Sequence, residues 1–255
     1  MKSNTGIKFF PANVLALVAF LAIRVAPLAA QEHYLPAGKP DPIAILPVPP
    51  AADSPEQAAE LAEVQYAVKH RTASELAHGK AETDLSLKTF AATIGSEFKL
   101  EKLPKTTALL DEAVAEAKAV TDFGKKHWKR LRPYEVDPSL LDGEKEPSFG
   151  YPSGHATRAT VMAMLLAELY PEKRDAILAE GRQVGWDRVV LGRHYESDVN
   201  AGRVLGQAIV RQLYESPNFG LDFAAAKAEV NALKESSGAK AAITNGGENG
   251  FTGSP

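Results

Sequence analysis

His194 and Asp198, four residues apart, are the pair in this sequence with the plainest chemical use. On a helical turn residues at that spacing share a face. A carboxylate beside one ring nitrogen fixes the tautomer and leaves the other nitrogen as a base or a nucleophile. The same spacing suits Asp198 in the first turn of a helix, where an acid is favoured, with His194 merely nearby. A metal pair is the third option, but neither an H-E-x-x-H pattern nor a carboxylate-rich loop accompanies it. Arg188 stands six residues before the histidine.

Two other segments could bind an anion. From Lys125 to Pro133 the chain carries Lys125, Lys126, Lys129, Arg130 and Arg132 together with His127. Such a run can be a solvated helix end that complements the dipole. It can also be a binding face, since Lys125 and Arg132 lie two helical turns apart and Pro133 would end the helix just past the arginine. Gly150 to His155, reading Gly-Tyr-Pro-Ser-Gly-His, leads into an apolar run. A helix start beside glycine offers backbone N–H groups, and Ser153 adds a hydroxyl, the makings of a phosphate cradle or of an ordinary cap. The nucleophile elbow of serine hydrolases needs G-x-S-x-G, and Gly150 stands one position too far from Ser153.

The three segments together resemble the signature of the type 2 phosphatidic-acid phosphatase superfamily: K-x6-R-P at Lys125, Arg132 and Pro133, P-S-G-H at Pro152 to His155, and R-x5-H-x3-D at Arg188, His194 and Asp198. The Tyr-Leu-Pro opening at Tyr34, the proline-rich stretch from Asp41 to Pro50 and the Tyr-Pro-Ser-Gly-His core look like the class A branch of bacterial non-specific acid phosphatases. The likeness extends from about residue 32 to 215. One position departs, for Asp187 stands where the family usually has serine. An acid aimed at a bound phosphate would weaken it, so Asp187 is expected to face elsewhere.

The resemblance implies an all-α fold, a single compact helical domain of the phosphatidic-acid phosphatase and vanadium haloperoxidase type. It implies hydrolysis of small phosphate monoesters of broad specificity without cofactor or metal. His194 would attack phosphorus to give a phosphohistidine, Asp198 would orient it, and His155 would protonate the leaving alkoxide and later activate water. Lys125, Arg132, Ser153, Gly154 and Arg188 would bind the phosphate, which needs positive charge around its oxygens and little else. A vanadium-dependent haloperoxidase, which holds vanadate in the same cradle, is the rival enzyme. A non-catalytic phosphate-binding protein would lack His155, His194 or Asp198, and all three are present.

The elements that must position these groups read as helices. Ser54 caps the first, with Pro55 at its first position and Glu56 in its first turn. Further helices are expected at about 74–81, 85–98, 105–128, 155–170, 172–191, 197–214 and 221–235, and no stretch alternates long enough for a strand. The proline-rich loop 134–152 is long for a compact domain and reads as a site or a lid. Residues 31–53 form an extended arm, since six prolines between His33 and Ala52 bar a helix or a central strand. The helical domain spans 54–235, and the Gly-, Asn- and Ser-rich tail 236–255 is expected to be disordered.

Composition removes several classes. The 255 residues are 45% hydrophobic and 24% charged, the balance of a folded protein. A net charge of -3 gives no support to a nucleic-acid surface. The absence of cysteine excludes thiol nucleophiles, disulfides and cysteine-ligated metal. Residues 1–30 have the order of a secretory signal: Lys2 and Lys8, an apolar run from Phe9 to Ile23, then small residues up to Ala30. The mature product would be periplasmic or secreted, with no membrane span after residue 30 and a homo-oligomeric state left open.

Overall fold

The structure is a computed structural model, and it describes residues 33–246 except Glu97, with the side chains of 237–246 set aside. The expected signal segment, residues 1–30, and the end of the expected tail, 247–255, lie outside the described residues. Among the described residues there is no strand, and no helix is long and apolar enough to cross a membrane.

In chain order the helices are α1 (Pro42–Ile45), α2 (Pro55–His70), α3 (Ala73–Ala81), α4 (Ala91–Ile94), α5 (Pro104–Trp128), α6 (Pro133–Val136), α7 (Gly154–Leu169), α8 (Arg174–Val190), α9 (Glu196–Leu213) and α10 (Pro217–Gly246). Most have visible causes. Ser54 Oγ accepts from the Gln57 N–H at the start of α2, and Thr72 with Glu75 closes a capping box at the start of α3. Proline at the first position starts α2 and α5, where a missing N–H costs nothing.

Helix α7 is the hub. Ala156, Ala159, Val161, Leu165, Leu166 and Ala167 on it are fully buried, and α5, α8 and α9 pack around it. Burial on all sides explains why this segment reads as apolar throughout and not as a striped helix. Glycine lets α9 come close: a Cβ at Gly202 would stand 2.6 Å from the Ser153 carbonyl oxygen and 2.9 Å from the Ala156 Cβ. That contact presses the start of α9 against the start of α7, the two ends that carry the chemistry.

Three expectations are corrected. The stretch 85–98 is not one helix but a 3-10 turn, Leu87–Phe90, followed by the short α4, which Gly95 ends at φ 113. The proline-rich arm contains one helical turn, α1, because Asp41 caps it and Pro42 occupies its first position, where proline is tolerated. Finally, α10 runs on past Glu235 to Gly246, so the backbone of the expected tail is helical for that part.

Candidate active site

The chain leaves α8 at Gly192, whose φ of 69 suits glycine and whose Cβ, if it had one, would lie 2.9 Å from the Leu140 carbonyl oxygen. The turn is closed by the Arg188 carbonyl, which accepts the N–H groups of Arg193 at 2.8 Å and His194 at 3.2 Å. The spacing between Arg188 and His194 is therefore one C-terminal turn that folds the histidine back beside the arginine. Asp198, at the third position of α9, accepts the Tyr195 N–H at 3.0 Å and reaches His194 with Oδ2.

His194 Nδ1 lies 3.1 Å from Asp198 Oδ2, and Arg132 Nη1 lies 3.1 Å from His194 Nε2. The carboxylate takes the proton on Nδ1, so Nε2 carries the lone pair that accepts from the guanidinium. Burial pushes the His194 ring well below its ordinary pKa, and the charges of Arg132, Lys125 and Arg188 push the same way. The ring is neutral, as a nucleophile must be. Burial alone would raise the Asp198 carboxyl, and it prevails over the opposing pull of Arg130 and the Tyr195 N–H. Arg130 Nη1 donates to Asp198 Oδ1 at 2.6 Å, and its Nη2 donates to Glu60 at 2.5 Å and Gln57 at 2.7 Å. The guanidinium also lies 4.2 Å above the Tyr195 ring. A permanently charged partner at that distance favours the ionised carboxylate in the pair.

The cations converge, though not as the spacing suggests. Helix α5 ends at Trp128 because Lys129 turns left-handed, φ 50, so Lys125 and Arg132 do not share a helix face. Arg132 instead precedes α6 and comes back over the site. Its Nε donates to the Ser148 carbonyl at 2.7 Å and its Nη2 pairs with Glu146 Oε2 at 2.7 Å. Arg188 Nη2 pairs with Glu146 Oε1 at 2.5 Å. Its Nε and Nη1 are buried with no hydrogen-bond partner, which is costly for a charged donor and suits a site built for an anion. Lys125 donates to the Phe149 carbonyl at 2.5 Å, and burial with the nearby Arg132 charge brings its pKa down to about 7.

Helix α7 supplies the remaining groups. Ser153 is its N-cap, fully buried, with Oγ accepting from the Ala156 N–H at 3.4 Å. Its hydroxyl proton is left to donate. Gly154, His155, Lys125, Glu146, Ser148, Arg158 and His194 line a cavity of about 100 Å³. His155 Nε2 lies 3.1 Å from the Thr83 carbonyl oxygen, which places the proton of the neutral ring on Nε2. Burial and the charges of Arg188 and Arg158 take this ring down to about 3.

Of the eight expected residues, Lys125, Gly154, His155 and His194 line the cavity, Arg132, Arg188 and Asp198 bond to residues that line it, and Ser153 caps the helix whose start carries Gly154 and His155. Asp187 faces away from the cavity, as expected: it is fully buried, bonded to His78 Nδ1 at 2.8 Å and to Gln183 Nε2 at 2.8 Å. Four contributors were not singled out from the sequence. Arg130 lay among the cations of its run, Arg158 follows His155 by three positions on α7, and Glu60 and Glu146 have no local pattern that marks them.

Residues 108–219 match the model of the PAP2 superfamily. An acid phosphatase of Zymomonas mobilis is 28% identical over 205 residues, 77% of this chain and 78% of that protein. A non-specific acid phosphatase of Salmonella typhimurium is 28% identical over 229 residues, 84% of this chain and 92% of that protein. One from Providencia stuartii is 31% identical over 152 residues, 57% and 61% of the two chains. The matched segment carries every cation, histidine and acid of the expected site, and over it the chain is similar to the PAP2 superfamily.

Proposed function

We propose that the protein is an exported acid phosphatase that hydrolyses small phosphate monoesters through a phosphohistidine on His194. It is a phosphatase by its kinship with the acid phosphatases described above. The single observation that carries the mechanism is the neutral His194 with its Nε2 lone pair turned toward Arg132, beside an Arg188 with two unpartnered buried nitrogens. A phosphoryl group seated on those guanidiniums presents phosphorus to Nε2. Nε2 attacks, the P–O bond to the leaving alkoxide breaks, and His155 supplies the proton that the alkoxide takes up. Water, deprotonated by His155, then cleaves the P–N bond and releases phosphate.

Lys125, Arg132 and Arg188, with the Ser153 hydroxyl and the N–H groups at the start of α7, stabilise the charge on the three equatorial oxygens. Asp198, itself fixed by Arg130, holds the His194 ring and balances the charge that develops on it. Since this cation set does the work of a Lewis acid, phosphoryl transfer is expected to continue after exhaustive chelation. Vanadate, a mimic of pentacoordinate phosphorus, is expected to inhibit.

The test is rapid-quench trapping of acid-labile, base-stable phosphoenzyme with an alkyl and an aryl phosphate side by side. His194→Ala is expected to accumulate none. His155→Ala is expected to suffer most with the alkyl ester, whose leaving group needs a proton, and far less with an activated phenol. Phosphohistidine in the His194→Ala protein, or equal impairment of His155→Ala on both esters, would reverse the assignment. Export rests on the order of charges and apolar residues in 1–30, and intact mass of the secreted product tests cleavage near Ala30.

A further inference from the structure

We propose that His78, Glu82 and Glu180 form a binding site for a divalent transition-metal ion, of the Zn2+ or Mn2+ class, that clamps the end of α3 to α8 outside the phosphate cradle. The inference does not rest on the phosphatase reading. One ligand atom from each residue lies within 4.8 Å of the other two. His78 Nε2 and Glu180 Oε1 are 3.7 Å apart. Two ligands about 2.1 Å from a shared ion have that separation at an angle of roughly 120°, so this pair needs little movement.

The second observation is the state of Glu82. It is only 7% exposed, and its Oε2 has no hydrogen-bond partner. Native structures rarely leave such an atom unless a water or an ion answers it. The ring of His78 is set for coordination as well. Asp187 Oδ2 lies 2.8 Å from Nδ1, which draws the proton to that nitrogen and leaves Nε2, the atom nearer Glu180, with the lone pair. A carboxylate behind a ligating imidazole is the usual outer support of such ions.

Charge points the same way. Three carboxylates, those of Glu82, Glu180 and Asp187, lie around one imidazole. A protonated ring balances one of the three, whereas a divalent ion with neutral His78 balances two. One imidazole and two carboxylates form a borderline donor set suited to Zn2+ or Mn2+. The site also gives Asp187 a use, at the position where the sequence departs from its family. Glu82 is followed by Thr83, whose carbonyl holds His155, so the ion would fix the segment that orients that ring.

The experiment titrates Zn2+ by calorimetry into the chelator-stripped full chain in phosphate-free buffer. One equivalent per chain is expected. Binding should weaken at least about tenfold in His78→Ala and in Glu180→Gln. His33→Ala, which disturbs the other histidine–carboxylate group at Glu112 and Glu116, should change it less than about twofold. Zn2+ at a hundredfold excess over its dissociation constant should raise the wild-type unfolding midpoint by roughly 5 °C. Circular dichroism checks that each variant is folded, and Glu180→Gln, which keeps the shape of the side chain, serves where His78→Ala is not. Three outcomes overturn the proposal: no Zn2+ uptake by the stripped wild type, undiminished affinity in the folded variant, or loss of binding with His33→Ala.

Discussion

Glu146 holds the two guanidiniums that a substrate would need. Burial would raise its carboxyl, but Arg132 and Arg188 outweigh that and keep it below the ordinary glutamate value. Its charge therefore persists and competes with an incoming phosphate for the same donors. Glu146→Gln keeps the shape and removes the charge, so competitive inhibition by inorganic phosphate is expected to tighten by about tenfold, roughly 1.4 kcal/mol. An unchanged inhibition constant would mean that the carboxylate moves aside at no cost. The proton on His155 gives a second expectation. With a folded value of about 3 the free ring is neutral at about pH 5, while Lys125, at about 7, is charged. Sulfate remains a dianion there and raises His155 on binding, so calorimetry in buffers of different ionisation enthalpy should show proton uptake that vanishes in His155→Asn. The sign for stability follows from the same depression. Between about pH 6.5 and 3 the unfolded chain binds the His155 proton and the native one does not, so this group lowers stability as pH falls through that window. At this scale the sequence was legible where a spacing stays within one turn, as with His194 and Asp198, and not for Lys125 and Arg132, whose spacing spans the end of α5. Nor was Glu146, because a carboxylate in a long loop has no periodic neighbour to say which way it points.

The limits of the long helices were mostly legible, α10 apart. Ser54, Thr72 and Ser153 are caps with a chemical reason, and α7, α8 and α9 begin within two residues of expectation. The end of α5 falls at Trp128 as expected, but nothing in Lys-Lys-His-Trp-Lys-Arg marks Lys129 as the left-handed residue, a conformation usually given to glycine, so the path to Arg132 was not legible. That turn is nevertheless what brings Arg132 over His194. Between elements the contact that matters most for the site is Gly202 against the Ser153 carbonyl, and no local pattern announces it. Gly202→Ala is expected to cost about 2–3 kcal/mol, since backbone must shift to relieve a 2.6 Å approach. Gly220→Ala, in α10 with nothing within 4 Å, should instead gain about 0.5–1 kcal/mol. Urea melts of both variants read the difference, and two equal midpoints would show that the α7–α9 interface has slack.

Across the whole molecule, a chain that reads as an extended arm becomes the strap that joins distant helices. The arm was legible as mainly extended from its prolines, the turn α1 apart, but where it lies was not, because its anchors are single polar groups far away in sequence. Glu116 on α5 accepts the Tyr34 N–H at 2.6 Å and the Leu35 N–H at 2.8 Å, and the Tyr34 hydroxyl donates to Asp222 on α10 at 2.8 Å. The Tyr34 ring meets Phe219 edge-on at 5.4 Å. Further along, the Pro47 carbonyl accepts from the Tyr151 hydroxyl at 2.6 Å, three residues before α7 begins. The strap thus ties α5 and α10 to the turn that presents Ser153 and Gly154. Glu116 is the group on which this depends, a carboxylate buried to 7% exposure that two backbone donors keep in place. Glu116→Ala leaves both N–H groups unanswered, and the expected loss is about 2–4 kcal/mol. Loss at that anchor should free the arm before the helices melt, so limited proteolysis is expected to cut between residues 36 and 53 much faster than in the wild type. Tyr34→Phe, which removes the hydroxyl bond to Asp222 and keeps the ring on Phe219, should have a smaller effect on both readouts. Cleavage in the arm at the wild-type rate in Glu116→Ala would show that the apolar contacts of Tyr34, and not the Glu116 bonds, hold the strap down.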